Sequence, residues 1–231
     1  MKLHVTGGTN LQDLVLFWPE LLPADFDHLP GEEADTTIER LRDAGQLIWL
    51  PTTKSGEFHL GLFVGDPVPE LLASFCQLTT KVEALDVPGE GWFGGMEFLF
   101  REDRFLLDRY PRLCTAIAIP PGRYSAEVFR TEIPDDVYES WLRDQAGAAA
   151  QRWWWLQTWI ASLGVVALLV FVGCLFFGTR QLVYSSLVVA AVLLCIAWLM
   201  SCTAGYQRIQ KARQEYCQAY PDYVVRLRTQ L

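Results

Sequence analysis

Hydrophobic and polar positions divide this 231-residue chain into two regimes. Up to about residue 150, short apolar runs alternate with polar and turn-forming residues. Two uninterrupted apolar stretches follow. Residues 155–177 read WLQTWIASLGVVALLVFVGCLFF and residues 182–204 read LVYSSLVVAAVLLCIAWLMSCTA, neither with a charged side chain. A bilayer core needs about 20 apolar helical residues, whereas a core helix in a water-soluble domain keeps a polar face. Both stretches are expected to cross a membrane as an antiparallel hairpin (153–204), turning tightly at Gly178, Thr179, Arg180 and Gln181.

The first regime predicts one α+β domain over residues 1–148 with a mainly antiparallel sheet, because its strands follow one another through short turns. A strand is expected at 2–5, ending at Gly7-Gly8. Residues 11–18 are apolar with a helical or mixed period. Residues 35–44 predict a helix closed by Gly45. Strands at 46–51 and 57–64 around a turn read as a hairpin, and 67–79 as a short amphipathic helix. Further strands are expected at 81–87, 96–101, 114–119 and 124–133, with turns at 88–91 and at Pro120-Pro121-Gly122. A helix follows Pro134, capped by Asp135 and Asp136. Residues 147–150 read either as a linker or as continuous helix.

Charge sharpens the division. Residues 1–150 hold 25 Asp plus Glu against 12 Lys plus Arg, a balance of −13; the remainder holds 2 against 7, or +5. An acidic domain repels nucleic acid and anionic lipid, so no nucleic-acid partner is expected. Residues 205–231 read as a basic cytoplasmic tail, helical over 205–219 and ended by Pro221. Arg208, Lys211, Arg213, Arg226 and Arg228 after the second span, with Arg152 before the first, place both termini in the cytoplasm. The start of the chain shows no signal-peptide pattern, which points to the plasma (inner) membrane as a multi-pass protein. Trp153, Trp154, Trp155 and Trp159 form the aromatic belt at the bilayer interface, with Arg208, Lys211 and Arg213 set to meet anionic lipid. Small residues four apart, such as Ser186 and Ala190, let helices approach closely, within the hairpin or between copies as a homo-oligomer.

Chemistry is sparse. Val5-Thr6-Gly7-Gly8-Thr9-Asn10 lacks the third glycine of a dinucleotide fingerprint and reads as an ordinary turn. His4, His28 and His59 have no partner at i+3 or i+4, and Asp25, Asp27 and His28 read as an acidic loop rather than a metal site. Six scattered cysteines, none spaced as CxxC, are expected to be reduced thiols. No catalytic grouping, metal site or cofactor motif emerges, so the chain reads as a non-enzyme. Residues 89–100 (GEGWFGGMEFLF) frame aromatics with glycines, and Trp92, Phe93 and Phe98 are the expected binding anchors. Trp49 and Phe63 are expected in the core. The leading expectation is a membrane-anchored cytoplasmic binding or regulatory module that recognises a protein or small ligand. Two alternatives stand beside it: a membrane effector whose sensor domain drives hairpins to oligomerise and disrupt the bilayer, and an enzyme with an unrecognised site.

Overall fold

The structure is a computed structural model that describes residues 1–10, 13–177 and 180–230. The turn expected at Gly178 and Thr179, the Leu11–Gln12 pair and residue 231 lie outside the described residues. The chain forms two units. One comprises Met1–Ile133 together with Cys217–Leu231, and the other Pro134–Tyr216.

The first unit is α+β with mostly antiparallel sheets. Its strands are β1 (Lys2–Thr9), β2 (Asp13–Phe17), β3 (Leu47–Pro51), β4 (Gly56–Val64), β5 (Cys76–Val87), β6 (Glu90–Gly95), β7 (Cys114–Ala118), β8 (Gly122–Thr131) and β9 (Tyr223–Thr229). Three helices join them: α1 (Gly31–Asp43), α2 (Glu70–Ala73) and α3 (Phe105–Arg109). A five-stranded sheet runs β1-β4-β9-β8-β5, and a four-stranded sheet runs β3-β2-β6-β7.

The two sheets face each other across a core that includes Leu14, Leu16, Ile48, Leu60, Leu62, Phe93, Ala126, Val225 and Leu227. The far face of the smaller sheet carries a second core, where Val15, Phe17, Phe98 and Phe100 meet Ile38 and Leu41 of α1. This two-sided burial explains why residues 11–18 show no clear period. β2 lies between both layers, and a strand buried on both faces reads as a continuous apolar run.

The expected hairpin of residues 46–51 with 57–64 does not form. β3 pairs with β2 and β4 with β1, so the intervening turn carries the chain from one sheet to the other. The turn at Pro120–Gly122 likewise joins strands of different sheets. A short amphipathic helix over 67–79 shrinks to α2, because β5 begins at Cys76. Met96–Phe98 is a one-turn helix rather than a strand, and the glycine-rich run before it is β6.

Gly7 and Gly8 lie within β1, not in a turn. A Cβ on Gly7 would come within 2.8 Å of the Phe93 ring, and one on Gly8 within 2.6 Å of Leu113. Their bareness lets β1 close one side of the sandwich: the Gly8 N–H donates to Leu113 O at 2.8 Å, and the Thr115 hydroxyl to Thr6 O at 2.5 Å.

The largest correction concerns the tail. Residues 223–229 are β9, inserted between β4, to which it is parallel, and β8, to which it is antiparallel. Tyr223, Val224, Val225 and Leu227 are fully buried. The expected split into a 1–148 domain and a free 205–231 tail gives way to a sandwich whose central strand follows the apolar helices in sequence. Two of the cations assigned to that tail act within the sheet: Arg226 Nε donates to Glu127 Oε2 on β8 at 2.7 Å, and Arg228 lies 3.8 Å from the same carboxylate.

The second unit holds α4 (Asp135–Ala146), α5 (Ala148–Phe177), α6 (Arg180–Ser201) and most of α7 (Ala204–Ala219). Gly147, at φ +87°, breaks α4 from α5, so the two helices meet at a kink of one residue rather than through a linker. α5 and α6 contain two stretches, Ala148–Leu175 and Val183–Ser201, long and apolar enough to cross a membrane, and only 6% and 11% of their most apolar windows are buried. Gly164, Ala190 and Ala197 are buried where the two helices meet, and a Cβ on Gly164 would sit 3.0 Å from Leu194. Small residues thus serve contact within the pair. Along α7, Ile209 and Ala212 pack on Leu142 and Ala146 of α4, with Tyr138, Trp141 and Trp154 around them. α4 is thus the helix that covers the apolar stripe of α7.

Candidate functional site

The three expected binding anchors fall in three different settings. Phe93 is 0% exposed between the sheets, and Phe98 is 3% exposed in the second core. Trp92 is half-buried, edge-on to Phe100 at 5.3 Å with the Arg104 guanidinium 5.4 Å above its ring. The assignment of Phe93 and Phe98 as contact residues is therefore corrected. β6 is an inner strand flanked by β2 and β7, so its side chains alternate into the two cores and its glycines admit close neighbours rather than freeing a loop. Phe63 is core as expected, whereas Trp49 is half-buried at a groove.

Exposed aromatic and aliphatic anchors occur a few residues further on. Phe105 is 62% exposed, Leu106 41% and Tyr110 43%, while Leu107 between them is buried and roots α3 in the second core. Asp27 holds the preceding loop rigid: its carboxylate accepts from the backbone N–H groups of Arg101 (2.7 Å), Glu102 (2.7 Å) and Asp103 (2.9 Å). Burial alone would raise the Asp27 carboxyl, but these three donors outweigh it and hold it below its ordinary value. Arg101 also donates to Pro19 O at 2.6 Å. Beside this loop Phe26, Leu99, Phe105 and Leu106 line a cleft of about 230 Å³. Asp27 and Asp103 line the same cleft, and the Arg109 guanidinium lies 5.5 Å over the Tyr110 ring. The signal of this surface in the sequence is the run REDRFLLDRYPRL, with four arginines inside an otherwise acidic domain.

A groove of about 750 Å³ lies between β3 and β5, the edge strands of the two sheets. Trp49 forms one wall with Arg42 5.5 Å over its ring, and its Nε1–H donates to Asp13 at 3.1 Å. Burial pushes the Asp13 carboxyl above its ordinary value. The opposite wall carries Lys81 paired to Glu83 at 2.8 Å. β5 has two irregularities in its register and exposes Lys81, features that discourage a further strand from adding to an edge.

The histidines also assemble in a way that spacing conceals. His4 and His59 stack at 5.4 Å on neighbouring β1 and β4; His4 Nε2 bonds Cys217 O at 3.0 Å and His59 Nδ1 bonds the Thr6 hydroxyl at 3.3 Å. Burial first, then the neighbouring His59 ring, pushes the His4 imidazole below its ordinary value. Cys76, Cys114, Cys174, Cys195 and Cys202 are free thiols, and burial pushes the Cys114 thiol up to about 12, too high for a nucleophile. Among the described residues no group of three or more His, Cys, Asp or Glu side chains is placed to hold a metal ion.

On the helical unit, Trp153, Trp155 and Trp159 are exposed, and Trp154 lies under the Arg213 guanidinium at 5.4 Å. Arg208 and Lys211 are exposed on α7.

No family model matches this chain, and no curated protein matches it. Among solved structures, one described as "Crocagin biosynthetic gene J" is similar to 56% of this chain over 75% of its own length, at 16% identity and a TM-score of 0.38. A likeness at that level carries no argument about function. What the structure defines is a class: an α+β sandwich joined to a pair of long apolar helices.

Proposed function

We propose that this protein is a membrane-anchored binding module. Its α5–α6 pair crosses the inner membrane, the sandwich lies on the cytoplasmic side, and the surface of Phe105, Leu106 and Tyr110 receives a protein partner. One observation carries the anchoring: away from their mutual contact α5 and α6 leave large apolar side chains exposed, Leu163, Leu169, Val188 and Trp198 among them. Soluble proteins rarely expose apolar patches above a few hundred Å², and a bilayer satisfies such a surface. Chain path supports the orientation. β8 precedes the pair, β9 follows it, and they are neighbours in one sheet, so both ends of the pair belong on one side. Five cations at the flanks remain for the positive-inside bias once Arg226 and Arg228 are set aside: Arg152, Arg180, Arg208, Lys211 and Arg213, with only Arg180 at the far end of the pair.

Binding through α3 rests on rigid aromatic anchors, the residue class that supplies most interface energy. The test for anchoring is alkaline carbonate extraction plus labelling by a membrane-impermeant maleimide, in a cysteine-free background carrying Thr179→Cys or Lys54→Cys. Label on residue 179 in intact cells, and on residue 54 only after permeabilisation, is expected. Release by carbonate, or equal labelling of residue 54 in intact cells, refutes the reading. For the binding surface, a photo-crosslinking residue at position 105 should yield a discrete adduct that one at position 54 does not. Equal adducts at both would remove α3 from the proposal.

A further inference from the structure

α4 and α7 enclose a cleft of about 390 Å³, lined by Gln145, Ala146, Arg208, Lys211, Ala212 and Glu215. Two facts give it a place along the helical unit. Trp154, in the second turn of α5, belongs to the same buried cluster as Ile209 and Ala212 and lies under Arg213. The segment 208–213 is therefore level with the band of Trp153, Trp155 and Trp159, the residue type that gathers at membrane headgroups. α4 is fixed against α7 at this height, since Trp141 Nε1–H donates to Ala212 O at 2.9 Å.

Arg208 and Lys211 are three residues apart on α7 and so share a face. Arg208 has no carboxylate partner among the described residues. Lys211 is 3.7 Å from Glu215 with most of its side chain in solvent, a loose pair that a stronger anion displaces. A guanidinium fork beside an ammonium point charge suits the oxygens of a phosphodiester, and the Gln145 amide adds a neutral donor. Arg213, by contrast, is occupied by the Trp154 ring.

We propose that this cleft binds the phosphate of an anionic lipid headgroup, with Arg208 and Lys211 as its ligands and Arg213 outside the site. The inference rests on the membrane reading above and adds a lipid preference to it. The acidic sandwich would by itself be repelled by an anionic surface, so a built cation site provides attraction at the one level where the chain meets the headgroups.

The experiment uses the full chain in mild detergent, with native mass spectrometry reading retained phosphatidylglycerol against phosphatidylcholine. Wild type should favour phosphatidylglycerol by up to about thirtyfold, two cations at about 1 kcal/mol each. Arg208→Gln with Lys211→Gln should abolish the preference, Arg208→Lys with Lys211→Arg should keep most of it, and Arg213→Gln should leave it intact. Unchanged preference in the double Gln variant overturns the site, as does its loss in Arg213→Gln alone. Inorganic phosphate at the lipid's concentration should not compete; full competition would make this a free-phosphate site and overturn the lipid assignment. Carbonate extraction of the same variants separates the two readings. Chains that stay in the membrane without any lipid preference defeat only the cleft, whereas chains that wash out defeat the anchor.

Discussion

Removing β9 should unfold the sandwich, although the residues removed follow the apolar helices in sequence. A fragment ending at residue 148 loses Tyr223, Val224, Val225 and Leu227, all essentially inaccessible to solvent. At about 1.5–3 kcal/mol for each fully buried side chain, that is about 6–12 kcal/mol of apolar burial. The backbone ladders on both flanks go too, from Leu60–Val64 on β4 and from Tyr124–Arg130 on β8. A domain of this size has a total stability of about 5–15 kcal/mol, so the loss is as large as the stability itself in order of magnitude. A matched fusion joins residues 1–133 to 217–231 through a short glycine-serine linker, which is feasible because the Thr131 N–H already donates to Asp222 O at 3.0 Å. Far-ultraviolet dichroism and thermal melting should show a cooperative transition for the fusion and none for 1–148. Adding a peptide of residues 217–231 to the 1–148 fragment should restore part of the signal. A cooperative melt of 1–148 alone, with the sheet spectrum of the fusion, would refute the argument that β9 completes the core.

Other outcomes can be checked on the same fusion, once its fold is established, or on the full chain. Phe93→Ala should cost about 3–5 kcal/mol in denaturant titration, while Phe105→Ser with Leu106→Ser and Tyr110→Ser should shift the midpoint by less than about 1 kcal/mol. Asp27→Ala leaves three backbone N–H groups without their acceptor and should destabilise by about 1–3 kcal/mol. Because Asp27 is held below its ordinary 3.8, its contribution is present above that pH and fades as pH falls below it. His4 works at a higher pH. Its folded value lies below 6.5, so the unfolded chain binds the extra proton, and stability present above about pH 6.5 is lost as pH falls below it. His59 and Lys2 oppose its charging while Asp222 favours it. Melting temperature followed from about pH 8 to about pH 5 should fall, and His4→Gln should flatten that fall; an unchanged slope would remove His4 as the cause.

Elements with a strong local signal were legible in the sequence. The two apolar stretches emerged as α5 and α6, the helix near 35–44 as α1 with Gly45 beyond its end at φ +68°, and the helix after Pro134 as α4, with Pro134 at its N-cap and the expected carboxylate cap not formed. Strands were found more readily than their partners. Nothing in a two-strand pattern says whether a turn closes a hairpin or passes to a facing sheet, and here β3 and β4 part company. β9 was within reach: Tyr223, Val225 and Leu227 alternate with Val224, Arg226 and Arg228 in period two. Its arginines were read as part of a basic cytoplasmic flank, although a cation opposite Glu127 on a neighbouring strand is equally at home. The glycine-framed aromatics failed for a related reason. Glycine permits both a mobile loop and a tightly packed strand, and only pairing on both flanks of β6 separates the two. The exposed Phe105–Tyr110 surface was marked only by the arginines around it, since a buried Leu107 sits in the middle of its apolar residues.

The position of β9 also sets an order of events during synthesis. Residues 1–133 leave the ribosome first and lack the strand between β4 and β8. The apolar helices come next, and the missing strand emerges only after them. The sandwich therefore cannot close until the helices have been made and met their surroundings, and ribosome-stalled chains ending near residue 205 should remain open to protease. A product truncated anywhere between the two halves keeps a vacant slot bordered by two unpaired strand edges, those of β4 and β8, a template for aggregation. Closure of the sandwich thus requires a chain synthesised through its helices.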